Sequence, residues 1–239
     1  MPLHKLTARS RSPRANWQLA SLLAFTAGAA DVSGFLSLGQ FTSHMSGVVA
    51  AMASDLSLHG IGTLIRPATV LGCFAAGAAF CALLINWERR RDRESLFAVP
   101  VLVEAFLLAL LALPAASHHK WFALCILSIG MGLQNAIITK ISHAEIRTTH
   151  VTGMITDIGI EIGRALYWNR SNRQPAVHSN RRHLLLLSLL VGLFFVGGTV
   201  GAFAYPHIGF LALLPIAIFL AVFTIAPISA DIRSASIAH

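Results

Sequence analysis

Charged residues are scarce in this 239-residue chain, because Asp, Glu, Lys and Arg together make up only 12% of it. A soluble domain carries about twice that fraction, so the composition excludes an ordinary soluble globular protein. Acidic residues are the scarcer kind, with 10 Asp and Glu against 18 Lys and Arg. The basic residues stand almost entirely between apolar runs, as they do at the ends of membrane spans. The basic excess therefore indicates orientation in a lipid bilayer and contact with anionic lipids, and not nucleic-acid binding.

Cysteine is also rare, and no CxxC pair occurs. Cys73, Cys81 and Cys125 each lie within an apolar run, which excludes a disulfide framework and favours small buried hydrophobic side chains. The chain also lacks a nucleophile elbow, a phosphate-binding loop and an HExxH sequence. We therefore predict no catalytic residue, no metal and no cofactor.

Apolar sequence is what the chain has in abundance. Six runs reach or approach the roughly 20 residues that cross a bilayer as a helix. They are residues 17–38, 67–87, 97–116, 121–139, 184–204 and 208–228. The first run follows four basic residues, as in a signal peptide, but it is longer than the apolar part of one, so we expect it to be retained.

Two nearly identical polar hexamers, TSHMSG (42–47) and TTHVTG (148–153), occur about a hundred residues apart. The sequence around them matches in the same order. A carboxylate follows each glycine by eight residues, at Asp55 and Glu161. Glycine-rich segments with polar residues precede the hexamers, GAAD (28–31) and GLQN (132–135), and LGCFAAGA (71–78) matches VGLFFVGG (191–198) downstream. These matches predict an internal repeat.

The repeat divides the chain into two units of similar organisation. Residues 17–116 form the first copy and residues 117–228 the second, between a basic N-terminal tail (1–16) and a C-terminal tail (229–239). The second copy alone contains a polar, basic insert at 167–182. Each copy contains three apolar runs and one short segment that begins in the hexamer.

The two short segments, 43–58 and 149–166, are predicted to be helices that do not cross the membrane. Residues 44–58 would extend about 22 Å as a helix, against a hydrocarbon core of about 30 Å. The second segment carries charged side chains that are costly at mid-bilayer, at Asp157, Glu161 and Arg164. We expect both segments to be re-entrant or interfacial helices.

The distribution of positive charge supports six membrane spans, with neither short segment crossing. With six spans, 16 of the 18 Lys and Arg fall on one side, and only Arg66 and Lys120 on the other. The positive-inside rule then places both termini in the cytoplasm. Because each copy contributes three crossings, the second copy is inverted relative to the first, as in many transport folds. The predicted fold is an all-α membrane protein with six transmembrane helices and two short helices, arranged as a 3+3 inverted repeat. A parallel repeat of four crossings each is the alternative, and it gives a poorer charge split of 12 to 6.

The hexamers predict where the site lies. A short helix exposes its first N–H groups, which hydroxyl side chains can cap. The candidate caps are Thr42 or Ser43 and Thr148 or Thr149. We expect Gly47 and Gly153 to allow close packing of another helix, and His44 and His150 to add titratable donors at helix ends that suit an anion or a carbonyl group. The predicted solute path consists of Asp31, Ser43, His44, Ser46, Gly47, Gln134, Asn135, Thr149, His150, Thr152 and Gly153.

Asp31 is the ionisable residue placed deepest in a predicted span. It shares a helix face with Ala24, Ala27, Gly28 and Gly34, so we expect it to face protein and not lipid. An ionisable group at that depth is a functional candidate. Glu104 is expected to lie close enough to the head groups to stay hydrated. The candidate proton relay comprises Asp31, Glu104, Asp55 and Glu161.

Four segments together resemble the YoaK family, a family of uncharacterised bacterial multi-pass inner-membrane proteins. The segments are AGAADVSGF (27–35), SHMSG (43–47), GLQNA (132–136) and TTHVTG (148–153). The resemblance extends over about residues 17–228. It implies a location in the bacterial inner membrane and implies no activity. The family usually has Asn after the glycine of the first hexamer, whereas this chain has Val48, which weakens the case for a polar side chain there.

The leading functional hypothesis is a transporter or channel for a small polar or anionic solute, with its path between the two copies. The first alternative is a membrane-embedded enzyme that uses His44, His150, Asp31 and Glu104, with or without a metal. The second is a non-transporting partner subunit or sensor. The predicted environment is the lipid bilayer, and a homo-oligomer is compatible with the sequence.

Overall fold

The computed structural model describes residues 7, 13–91, 93, 95–114, 118–141, 149–168 and 176–237. Within these residues the chain forms eight α-helices and no β-strand. The helices are α1 (Pro13–Leu38), α2 (Met45–His59), α3 (Ile65–Arg90), α4 (Ala98–Leu111), α5 (Lys120–Ile141), α6 (Val151–Leu166), α7 (Arg181–Ile208) and α8 (Leu214–Ile237). A 3₁₀ turn precedes α3 at Ile61–Leu64, and another joins α7 to α8 at Gly209–Leu213. The predicted all-helical fold is confirmed.

Four stretches of the described chain are long and apolar enough to cross a membrane. They are Arg14–Leu38, Ile61–Arg90, Lys120–Ile141 and Arg181–Ser229, and the last contains both α7 and most of α8. The apolar helix α4 has 14 residues, which extend about 21 Å. Neither α2 nor α6 belongs to a span-length apolar stretch. These helices place the protein in a lipid bilayer.

A sharp turn at the end of α1 carries the first hexamer back along that helix. Gly39 has φ +68°, and its N–H donates to the Phe35 carbonyl oxygen at 2.7 Å, which is the usual way for glycine to end a helix. The Arg66 guanidinium donates to the Leu38 carbonyl oxygen. The Phe41 ring then stacks on the Phe35 ring with centroids 4.4 Å apart. The turn therefore brings residues 42–44 beside the last turns of α1.

The long helices pack across the two halves of the chain. The most extensive contacts join α1 to α7 and α3 to α5, and α4 packs on α8. In the first two pairs, glycines lie directly against backbone carbonyl groups of the opposing helix, so that a Cβ would overlap the carbonyl oxygen. The contacts are Gly28 with Phe194, Gly132 with Phe74, Gly197 with Phe25, and Gly77 with Ile129. The contacts correspond in pairs under the predicted repeat, because Gly28 with Phe194 matches Gly132 with Phe74, and Gly197 with Phe25 matches Gly77 with Ile129.

Glu104 is buried in the helix bundle, and the expectation that it stays hydrated is wrong. Its side chain is 1% exposed, and neither carboxyl oxygen has a hydrogen-bond partner among the described residues. α4 contacts α3, α5 and α8, and Glu104 lies in the middle of α4, so helices enclose it. The three cysteines are free thiols.

Candidate functional site

Histidines occupy the N-cap positions of both short helices. His44 precedes α2 with φ −91° and ψ 70°, and His150 precedes α6 with φ −86° and ψ 61°. The His150 Nδ1 accepts a hydrogen bond from the Gly153 N–H at 3.2 Å. The prediction of Thr or Ser caps is therefore wrong for the described residues, because both helices begin one residue after the histidine. Thr148 lies outside the described residues.

The hexamer glycines make room for these histidine rings. A Cβ at Gly47 would lie 2.9 Å from the His44 Nδ1, and a Cβ at Gly153 would overlap the His150 Nδ1. At both positions the three atoms nearest to the added Cβ belong to the histidine ring, and the expected close packing of another helix stays a prediction. The histidine and the glycine three residues later form one local unit in each hexamer.

The polar residues of α1 and α5 hold the start of each short helix. The Asp31 Oδ1 accepts hydrogen bonds from the backbone N–H groups of Thr42 and Ser43, both at 3.2 Å. In the second half the Thr149 hydroxyl donates to the Asn135 Oδ1 at 2.5 Å. Ser43 and Thr149 both stand directly before the N-cap histidine. Asp31 is 4% exposed, which confirms that its helix face is turned towards protein.

One cavity of about 750 Å³ lies between the two hexamers. This volume is within the range of small-molecule sites. Eight of the predicted path residues line it: Asp31, Ser43, His44, Ser46, Asn135, Thr149, His150 and Thr152. The N-terminal ends of α2 and α6, which carry partial positive charge, both border this cavity.

Five further lining residues were not predicted as part of the site. They are Phe41, Met45, Phe74, Val151 and Phe194. Phe74 and Phe194 are matched positions of the repeat, and the backbone carbonyl of each lies against a glycine of α5 or α1. Their match in the predicted repeat was the available signal, because each large side chain lies at one of two equivalent helix crossings, α3 with α5 and α7 with α1.

Three predicted path residues lie outside the cavity. Gly47 and Gly153 face their own histidines. Gln134 is fully buried, and its side-chain amide donates to the Leu23 carbonyl oxygen, which joins α5 to α1. Gln134 therefore belongs to the packing between helices.

A second cavity, of about 420 Å³, adjoins the first. Asp55 and Arg66 line it, together with Gly47. Phe41 and His44 line both cavities. These two side chains therefore stand between the cavity near Arg66 and the cavity between the hexamers.

Glu161 lies at the far end of α6 and holds the segment that leads into α7. The Asn180 backbone N–H donates to its Oε2 at 2.6 Å, and the Arg164 Nη1 donates to its Oε1 at 2.8 Å. The Asn180 N–H, with Ser179 and Arg164, holds the pKa of the Glu161 carboxyl below its usual range. Of the four carboxylates in the candidate relay, only Asp31 lines the cavity between the hexamers.

The residues considered for an enzyme site are only partly brought together. His44, His150 and Asp31 line one cavity, and Glu104 does not. Within the described ranges, no group of three or more His, Cys, Asp or Glu is arranged to hold a metal ion.

Comparison with known proteins agrees with the resemblance seen in the sequence. The chain is 28% identical over 194 residues to the UPF0700 transmembrane protein YoaK of Bacillus subtilis (strain 168), a match that covers 79% of this chain and 83% of the relative. No solved structure is detectably similar. The family model described as "Protein of unknown function (DUF1275)" matches residues 19–226, which include both hexamers and every residue that lines the cavity between them. The chain belongs to the DUF1275 family.

Proposed function

We propose that this protein is a transporter or channel that moves a small polar or anionic solute across the bacterial inner membrane, through the cavity between its two halves. In this proposal α1, α3, α4, α5, α7 and α8 cross the membrane, both termini are cytoplasmic, and the two halves form a 3+3 inverted repeat.

The reciprocal helix contacts support the inverted repeat. α1 of the first half packs on α7 of the second, and α5 of the second half packs on α3 of the first. In the predicted repeat α5 corresponds to α1, and α7 corresponds to α3. The contact of α1 with α7 is therefore equivalent to the contact of α5 with α3, and such reciprocal contacts are typical of two-fold symmetry. With three crossings in each half, such an axis lies in the membrane plane. The 16-to-2 distribution of Lys and Arg supports the same topology.

The observation that carries the transport proposal is the cavity itself, which both hexamers line. Inverted-repeat transporters place their sites at the interface between repeats, where helix N-termini face anionic groups. Here the N-terminal ends of α2 and α6 converge on one cavity, with hydroxyls from both halves. These groups suit a carboxylate, another small anion or a neutral polar molecule.

The adjoining cavity supports a route towards the side that carries Arg66. A solute that passes from the cavity near Arg66 to the cavity between the hexamers crosses the position of Phe41 and His44. Arg66 provides positive charge at the entrance to this route. We assign Phe41 and His44 the role of a constriction.

Asp31 is the protonatable group of this site in our proposal. It lines the cavity while it holds the backbone of Thr42 and Ser43. A change in its protonation state would alter the attachment of the first hexamer to α1. The other three carboxylates of the candidate relay do not line this cavity, so any proton path through them lies outside it: Glu104, Asp55 and Glu161.

The test is solute flux in proteoliposomes. Stopped-flow light scattering after imposed gradients of formate, acetate, urea or glycerol separates small anions from neutral polar solutes. We expect the wild type to accelerate flux of at least one probe, and the variants His44→Ala and His150→Ala to change that flux. The matched control is His59→Ala, because His59 lies at the end of α2 and lines neither cavity. Equal flux in protein-free and protein-containing liposomes for all four probes, or unchanged flux in both cavity variants, would contradict the proposal.

The enzyme alternative depends on the convergence of His44, His150 and Asp31 in one cavity. Two histidines and a carboxylate suit general acid–base chemistry. If a probe disappeared and a product formed on one side of the liposomes, without transfer to the other side, the enzyme alternative would be favoured over transport.

A further inference from the structure

A basic cleft of about 730 Å³ lies at the start of α7, apart from the cavity between the hexamers. The end of α6, the segment 176–180 and the first two turns of α7 form its walls. Its polar wall includes Arg164, Tyr167, His178 and Arg181. These residues belong to the insert of the second half or lie beside it, and the sequence of the first half has no such insert.

The cleft is built to attract an anion. Arg164 is 50% exposed, and its contact with Glu161 uses one of the five guanidinium N–H donors. The other oxygen of Glu161 accepts the Asn180 N–H, so this carboxylate fixes Arg164 and the segment before α7 together. Arg181 begins α7, where the helix end adds partial positive charge. Residues 167–182 contain four arginines and no acidic residue. Two guanidinium groups and a helix end match a phosphate group well.

Along α7 the wall of the same cleft contains two apolar side chains between the polar residues Arg181 and Ser188. Arg181 is followed one turn later by Leu184 and Leu185, which also line the cleft, and Leu185 is 63% exposed. α7 is a 28-residue apolar helix within a span-length stretch, so its start lies where head groups meet hydrocarbon. Trp168, beside the cleft, is 84% exposed, and tryptophan at a membrane protein surface is typical of that depth.

We propose that this cleft binds an anionic phospholipid, with the lipid phosphate between Arg164 and Arg181 and an acyl chain along Leu184 and Leu185. Basic pockets between membrane helices recognise anionic head groups by this combination of charge and apolar surface. A free phosphate would meet the same charges but would leave the apolar wall uncovered. The occupant is therefore a lipid, and the insert provides its head-group site.

The experiment measures lipid binding by the purified full-length protein in a neutral detergent. Dioctanoyl phosphatidylglycerol, dioctanoyl phosphatidylcholine and inorganic phosphate are titrated separately, and binding is followed by thermal unfolding and by tryptophan fluorescence. We expect phosphatidylglycerol to raise the unfolding temperature in a saturable way, and the other two probes to have little effect. Trp168→Phe should remove most of the fluorescence response and preserve the thermal response.

Two substitutions and a control test the assignment of residues. Arg164→Gln and Arg181→Gln should each weaken phosphatidylglycerol binding about fivefold, the equivalent of about 1 kcal/mol. Arg233→Gln removes the same charge from an exposed position outside the cleft and should bind as the wild type does. If Arg164→Gln does not fold, because Arg164 pairs with Glu161, Arg181→Gln provides the test.

Three results would overturn the proposal. Equal stabilisation by phosphatidylcholine would show a site for any lipid, and equal stabilisation by inorganic phosphate would show a free-anion site. Wild-type affinity in the Arg181→Gln variant would show that the cleft does not hold the head group. Because the readout is binding, none of these results depends on whether the protein transports a solute.

Discussion

The carboxylate of Asp31 accepts the backbone N–H of Ser43 at 3.2 Å, which fixes the start of α2 to the side of α1. The amide of Asn135 performs the equivalent task through the Thr149 hydroxyl in the second half. Two different side chains, one ionisable and one not, thus hold the two hexamers in the same manner. The charge of Asp31 is not needed for this structural task, so the proton exchange that we propose for Asp31 can be tested separately from its structural role.

We predict that Asp31→Asn leaves the protein folded and removes the pH dependence of the solute flux that we propose. The asparagine oxygen can still accept the N–H groups of Thr42 and Ser43, as Asn135 accepts Thr149. The measurement is flux in proteoliposomes as a function of pH, beside the thermal unfolding of the same sample. A pH profile that matches the wild type would reduce Asp31 to a hydrogen-bonding residue.

The control for this prediction is Asp31→Leu, which removes the acceptor as well as the charge. Two buried or half-buried backbone N–H groups would lose their partner, at a cost of about 1–3 kcal/mol for each group that stays unsatisfied. Asp31→Leu should therefore lower the unfolding temperature clearly below that of Asp31→Asn. Equal stability of the two variants would mean that the carboxylate does not hold the first hexamer.

Gly28→Ala should destabilise the protein through the contact between α1 and α7. A Cβ at this position would overlap the Phe194 carbonyl oxygen, so the helices must separate, and overpacking of this kind costs about 1–3 kcal/mol. Gly192→Ala is the matched control, because that glycine lies on the same helix as Phe194 with nothing within 4 Å of an added Cβ. The measurement is the unfolding temperature of the two variants in detergent. If Gly28→Ala is as stable as Gly192→Ala, the close contact of Gly28 with the Phe194 carbonyl is contradicted.

The topology proposal makes a further prediction, for cysteine labelling in whole cells. A cysteine introduced at Arg90 or Arg181 should react only after the inner membrane is permeabilised, and a cysteine at His118 should react with an impermeant reagent from outside. The starting protein has Cys73, Cys81 and Cys125 replaced by Ala. Reaction at Arg90 from the outside would exclude the six-span arrangement and, with it, the inverted repeat.

The sequence predicted a membrane protein and a path lined by both hexamers, because hydropathy and the repeat are patterns that extend over many residues. It predicted that Asp31 faces protein, because small residues share its helix face. It did not predict the N-caps, because Thr and Ser are the usual caps, and the hydroxyl of Thr149 is used instead by Asn135 on another helix. The burial of Glu104 was also missed, because it depends on contacts of α4 with helices distant in sequence.

The stability of the protein in acid should depend on Glu161. The pKa of its carboxyl group is lower in the folded state than the usual value of 4.5. The hydrogen bonds of the carboxylate therefore contribute their full stability at pH values above 4.5, and this contribution is lost as the pH falls through the lower pKa of the folded state. The unfolding temperature of Glu161→Gln should therefore lie below that of the wild type at neutral pH, and the two should converge at acid pH below 4.5. Asp157→Asn, a change at an exposed position of the same helix, should follow the wild type throughout. A constant difference between Glu161→Gln and the wild type from pH 7 to pH 3 would contradict the role of the carboxylate charge.

Glu104→Leu should make the protein more stable. The carboxyl group is fully enclosed and has no hydrogen-bond partner among the described residues, and an unsatisfied buried polar group costs about 1–3 kcal/mol. Leucine is of similar size and has no polar atom to satisfy, whereas Glu161→Leu, which removes a hydrogen-bonded carboxylate, should lower stability. A lower unfolding temperature for Glu104→Leu would reveal a partner for the carboxyl group. A protein that is more stable but has lost flux would show that Glu104 is kept for function, because a residue that weakens the fold persists where activity requires it.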